Sequence, residues 1–104
     1  MSRRAERRQA ARDAAKLARA RLKLAALEPG GAPDSPIEVA SASTVEPHAA
    51  SLPCAACAGS GVRVEEHTAL VTEDGRRLRV AHVRCPSCGT RRAIYFRIGT
   101  MLAS

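Results

Sequence analysis

Three stretches in the second half of the chain carry the apolar–polar pattern of half-buried β-strands. Residues 62–72, Val62-Arg63-Val64-Glu65-Glu66-His67-Thr68-Ala69-Leu70-Val71-Thr72, are rich in β-branched side chains. Residues 77–84 place Leu78, Val80 and Val83 between arginines, and residues 91–98 alternate, with Ile94, Phe96 and Ile98 on one face. Glu73-Asp74-Gly75-Arg76 separates the first two, and Asp-Gly between such runs is a strong hairpin signal. A two-residue Asp74-Gly75 loop would set Cys85 opposite Val64 and His67 opposite His82. A three-residue loop with Gly75 in the left-handed region would shift that register by one. The third strand can join the hairpin to give a three-stranded sheet.

The first part of the chain has a different period. Residues 3–27 contain neither Gly nor Pro and are dense in Ala, Arg, Leu and Lys, which favour helix. Ser2 is suited to cap the start, and Glu28-Pro29-Gly30-Gly31 stops the helix. At helical spacing Ala10, Ala14, Leu17, Ala20, Leu24 and Leu27 make one thin apolar stripe, with arginines over most of the remainder. An isolated helix of this kind is marginal in water, so the expectation is a solvated or weakly docked basic arm over residues 1–28. Residues 29–51, with Pro29, Pro33, Pro36 and Pro47 among Ser and Ala, read as a linker. Within it the apolar residues of 37–45 (Ile37, Val39, Val45) fall on odd positions, which suits an extra edge strand.

Composition sharpens this picture. Of the 104 residues, 21 are Ala, while Leu, Ile, Val and Phe together number only 19. That is just below the roughly 20% at which a charged chain begins to resemble a disordered one. A chain this short buries the smallest fraction of its surface, so one domain at most is expected, with something besides an apolar core holding it. No run reaches membrane length or looks like a secretory signal, which places the expected home of the protein in the cytoplasm.

The formal charge of +7 is unevenly spread. The arm carries nine basic and three acidic groups, the following stretch to Pro53 carries three acids and no base, and residues 54–104 carry eight Arg and four acids. Two basic units joined by an acidic connector raise the expectation of a polyanionic partner through counterion release.

All four cysteines lie in the C-terminal unit, residues 52–104, as two pairs: Cys54-Ala55-Ala56-Cys57 and Cys85-Pro86-Ser87-Cys88. A tight C-x-x-C turn delivers two thiolates together, and tetrahedral Zn²⁺ needs four at about 2.3 Å from one centre. The hairpin brings the second pair back beside the first, so strand pattern and metal spacing, read independently, agree. The gap between the pairs exceeds the ~15–20 residues of the short zinc pattern. Two disulfides would require an oxidising compartment, a thioredoxin-like redox pair would need a βαβ context, and four thiolates also suit iron. A shell of four cysteines is closed, with no open position for substrate, and the sequence has no Ser/His/Asp grouping, phosphate loop or H-E-x-x-H helix. The expectation is one structural Zn²⁺ per chain and no enzymatic activity or small-molecule substrate.

Cys54-x-x-Cys57 and Cys85-Pro86-x-Cys88-Gly89 resemble the two knuckles of a zinc ribbon, over about residues 52–98. That resemblance implies a small β-rich fold of hairpin plus third strand, here preceded by a basic α-helix and a Pro-rich linker. Cys54-x-x-Cys57-x-Gly59-x-Gly61 is also similar to the repeated unit of DnaJ-type cochaperones, from which the second pair departs. A ribbon with an acidic pair at its tip resembles transcript-cleavage elongation factors, which would imply a metal-positioning role for Glu73 and Asp74. The functional expectation is binding of nucleic acid, or of a nucleic-acid-processing complex, through Arg79, Arg91, Arg92 and Arg97. The other expectation is a protein-interaction adapter that uses the sheet edge and Leu17, Leu24 and Leu27 of the helix. With Tyr95 and Phe96 the only aromatics, contacts would fall mainly on phosphate.

Overall fold

A computed structural model describes residues 2–99. Helix α1 runs Arg3–Ala25, strand β1 Ile37–Val39, a 3₁₀ turn Ala42–Thr44, helix α2 Val45–Ser51, and strands β2 Arg63–Val71, β3 Arg77–Arg84 and β4 Arg91–Ile98. The strands form one mixed sheet in the order β1-β4-β3-β2. β2, β3 and β4 pair antiparallel, as the strand pattern predicts, while β1 joins the edge of β4 in parallel.

The hairpin adopts the three-residue loop. The Gly75 amide donates to the Thr72 carbonyl and the Thr72 amide to the Arg76 carbonyl, with Gly75 at φ 85°. Asp74 tightens the same turn: the Thr72 hydroxyl, first, and Arg76 hold its carboxyl below the usual range. The register therefore runs Glu66↔His82, His67↔Ala81 and on to Val71↔Arg77, one step from the two-residue alternative. A bulge between Val64 and Glu66 shifts it once more, so that Val64 faces Val83 and Arg63 faces Arg84. The expected His67–His82 apposition is thus overturned: side chains alternate along a strand, and a slip of one puts the two imidazoles on opposite faces.

Residues 29–51 hold more regular structure than their composition suggests. Strand pairing reaches only Ile37–Val39, after which the chain turns into α2. Two further bonds tie this segment to the same edge of β4: the Tyr95 amide donates to the Gly30 carbonyl at 2.9 Å, and the Gly99 amide, just past β4, to the Val39 carbonyl at 2.8 Å. Helix α2 then lies on one face of the sheet. Its Val45 and Ala49 are fully buried against Val39, Ala81, Val83, Ile94 and Phe96, with Ile37, Leu52 and Val64 at the margin. This is the main core. His48 of α2 meets Phe96 edge-on, with ring centroids 5.6 Å apart.

Ser2 caps α1, its Oγ accepting from the Ala5 amide at 3.2 Å. The helix ends at Ala25 and does not dock by the stripe its leucines suggest. Ala18 and Leu22 pack against a second, smaller cluster of Cys54, Ala56, Val62 and Cys85, and Ala25 is buried. Leu17, Leu24 and Leu27 remain 53%, 61% and 80% exposed. Ala18, Leu22 and Ala25 stand at i, i+4 and i+7, so the inward side of the helix is this line and not the Leu17–Leu24–Leu27 stripe. Residues 6–17 of α1 are exposed throughout, and the molecule measures 65 × 25 × 21 Å.

Candidate metal centre

Each cysteine pair sits on the same turn. In the first, the Ala58 amide donates to the Cys54 carbonyl at 2.8 Å and the Cys54 amide to the Gly59 carbonyl at 2.8 Å. In the second, the Gly89 amide donates to the Cys85 carbonyl at 2.8 Å and the Cys85 amide to the Thr90 carbonyl at 3.0 Å. The residue after the second cysteine must enter the left-handed region to close either turn, and Ala58 and Gly89 do so at φ 63° and 77°. Glycine suits this conformation and stands at the second position; alanine rarely takes it, so nothing in the sequence marks Ala58.

The two turns converge. Cys54, Cys57, Cys85 and Cys88 bring their sulfurs within 4.8 Å of one another. Cys54 Sγ lies 3.6 Å from Cys88 Sγ, and Cys57 Sγ lies 3.7 Å from Cys85 Sγ. Four sulfurs at ~2.3 Å from a tetrahedral centre would stand about 3.8 Å apart, so both edges fit a single ion. None of the four is in a disulfide. Cys54 and Cys85 are buried and Cys57 and Cys88 exposed, with α1 closing the buried side through Ala18 and Leu22.

The surroundings favour thiolates unequally. The Ala56 amide points at Cys54 Sγ and the Gly59 amide at Cys57 Sγ, each at 3.4 Å. Cys88 Sγ is 3.2 Å from the Thr90 hydroxyl, and that hydroxyl, then the Thr90 amide, pull its pKa down to about 6. The Cys88 and Ser87 amides hold Cys85 below its ordinary range against the opposing effect of burial. At Cys57 the Gly59 amide is the largest influence and lowers the pKa. The Cys85 sulfur, burial and the other two sulfurs together outweigh it and push the thiol up to about 11. A metal ion removes this conflict, because its charge stabilises all four thiolates together.

The other residues singled out in the sequence do not join this centre. Alternation from the observed register puts Arg79 and Arg92 on the α2 side of the sheet and Arg91 and Arg97 on the other. Arg97 pairs with Glu38 and Arg91 with Glu65, the latter at 3.2 Å. Glu73 and Asp74 sit at the far end of the hairpin, where the Asp74 carboxylate is bound within its own turn. His67 Nδ1 lies 3.1 Å from Glu46 of α2, and its Nε2 is buried without a partner. Among the described residues no helix is long and apolar enough to cross a membrane. Comparison with family models, curated proteins and solved structures finds no match for the chain.

Proposed function

We propose that the protein is a zinc ribbon of the cytoplasm whose Cys54, Cys57, Cys85 and Cys88 hold one structural Zn²⁺, and that its basic surfaces bind nucleic acid or a nucleic-acid-processing complex. The convergence of four sulfurs within 4.8 Å carries the metal part of the reading. Sulfur-only ligation selects zinc or iron over the oxygen-preferring cations. A closed shell of four thiolates leaves no open coordination position, which suits structural zinc and is also the reason to propose no catalytic role. Apparent zinc-binding energies of ~10–16 kcal/mol in finger peptides would make the ion a principal support of so small a fold. The net charge of +7 supports the polyanion part.

Metal analysis of the purified protein tests the first part, with one zinc per chain expected and iron overturning the assignment. Titration with short RNA and DNA across salt concentrations tests the second. Affinity falling steeply with salt is expected, and no binding at low salt removes it. The exposure of Leu17, Leu24 and Leu27 favours a second reading, an adapter whose helix enters a partner's groove. Capture of a partner that is lost on Leu24→Glu, without any nucleic-acid binding, would replace the first reading by this one.

A further inference from the structure

Helix α2 covers one face of the sheet; on the other, Leu78 and Val80 at the centre are buried, while Arg63, Glu66, Arg84, Arg91 and Arg97 around them are exposed. The register orders that second face into rows. Nearest the cysteine turns, Arg63 faces Arg84 and Arg84 faces Arg91, so three exposed arginines cross three adjacent strands side by side. The next row is Glu66–His82–Ala93 and the one after it Thr68–Val80–Tyr95. Like charges directly opposite across a strand pair are destabilising, and here they are opposed twice in succession. Of these three arginines, only Arg91 has a carboxylate of the described residues within ion-pair distance, Glu65 at 3.2 Å. Arg63 and Arg84 have none. Beside the row lies a cavity of about 480 Å³ lined by Glu65, Glu66, His82, Arg91 and Ala93 among others. The small Ala93 side chain leaves room above it, and Tyr95 stands one position further along the same face of β4.

We propose that this face binds single-stranded nucleic acid, with backbone phosphates on the Arg63–Arg84–Arg91 row and unpaired bases further along the face, one over the adjoining cavity and one on Tyr95 beyond it. The proposal rests on the nucleic-acid reading above and assigns it a surface. Phosphates relieve the repulsion within the row, and guanidinium is the side chain best matched to them. The acidic residues beside it choose between polyanions: Glu66 repels an acidic peptide but accepts from the amino group of a base, as carboxylates do from cytosine. A base can reach the cavity only when it is unpaired, and single strands stack such bases on aromatic rings.

Fluorescence anisotropy of the metal-loaded full chain with a labelled mixed-sequence 12-mer, as RNA and as DNA, tests this between 50 and 200 mM salt. Each phosphate contact contributes about 0.7 to the slope of log affinity on log salt for a single strand. The triple variant Arg63→Gln/Arg84→Gln/Arg91→Gln should therefore lose about 2 of slope, and its affinity should fall by roughly 20-fold less than that of the unaltered protein across this range. The corresponding triple Lys variant should retain most of the slope. Tyr95→Ala should weaken binding five- to a hundredfold at every salt concentration, the value of one stacked base, with the slope unchanged. Circular dichroism and metal content confirm that each variant is folded. If binding and slope survive the triple Gln variant but fall in Arg3→Gln/Arg4→Gln/Arg7→Gln/Arg8→Gln, the site is the arm and this inference is wrong while the functional reading stands. Absence of any binding by the unaltered protein overturns both. Duplex of the same sequence binding as tightly, or polyglutamate competing as well as the single strand, overturns the assignment of the face to an unpaired strand.

Discussion

Ala58 and Gly89 occupy the same position in two copies of one turn, each one residue past the second cysteine of its pair and each with positive φ, 63° and 77°. Their carbonyl and amide hydrogen bonds match, and the two turns face each other across the sulfurs. One turn meets the conformational demand with glycine and the other with a residue that pays for it in backbone strain.

Exchange at these two positions should therefore act in opposite directions. Ala58→Gly relieves the left-handed alanine and should stabilise the protein by up to about 1 kcal/mol, reduced by the extra freedom glycine has when unfolded. Gly89→Ala should destabilise by about 1 kcal/mol. A Cβ at Gly89 would meet nothing within 4 Å, so only the backbone contributes. Thermal or denaturant unfolding of the metal-loaded proteins measures both, and equal stability of all three would show that the turns are held by the metal alone.

The cysteine cluster and hairpin are legible because their signals are local or repeat: two C-x-x-C pairs, Asp74-Gly75 and period-two strands. The sequence allows both a two- and a three-residue loop, and the choice depends on the Thr72–Arg76 hydrogen bonds, which composition does not encode. Helix α2 was hidden because its seven residues include Pro47 and lie among linker residues. Its stability comes from burying Val45 and Ala49 on the sheet, a tertiary effect. The inward side of α1 was not legible for a related reason. The leucine stripe gives no sign of which side meets the ribbon, and the contact through Ala18 and Leu22 exists only once the cysteine turns are folded.

Gly30 is a harder position than Gly89. It is buried, has φ 88°, and passes its carbonyl to the Tyr95 amide to extend the sheet edge. A Cβ there would stand 2.7 Å from Ile37 Cδ1 and 3.0 Å from Ile94 Cγ2, both packed in the main core. Gly30→Ala adds overpacking of ~1–3 kcal/mol to left-handed strain of ~1–3 kcal/mol. It should destabilise clearly more than Gly89→Ala in the same unfolding experiment. A smaller effect would mean that the 29–39 segment detaches from β4 at little cost.

Thr90 should support metal binding at low pH. Its hydroxyl and amide pull the Cys88 pKa down to about 6, while Cys57 is pushed up to about 11. Metal and protons compete for all four sulfurs, and a depressed pKa means that above that value Cys88 has no proton for the metal to displace. Thr90→Val removes the hydroxyl, raises the Cys88 pKa and should move the midpoint of metal release to higher pH. A colorimetric chelator titrated with pH measures the midpoint. A midpoint that stays put or moves down would show that the hydroxyl does not support the thiolate.

His67 offers a site where removing polarity should not cost stability. Its Nδ1 bonds Glu46 at 3.1 Å, but Glu46 is 57% exposed and water can replace that contact. Its Nε2 is buried and unpartnered, and leaving a buried polar atom unsatisfied costs about 1–3 kcal/mol. Phe fills a similar volume without the orphan nitrogen, so His67→Phe should be neutral or stabilising by about 1 kcal/mol. His67→Ala should destabilise by opening space between β2 and α2. Denaturant midpoints at neutral pH separate the two outcomes. If His67→Phe is as damaging as His67→Ala, the Glu46 bond rather than packing is what holds α2 on the sheet.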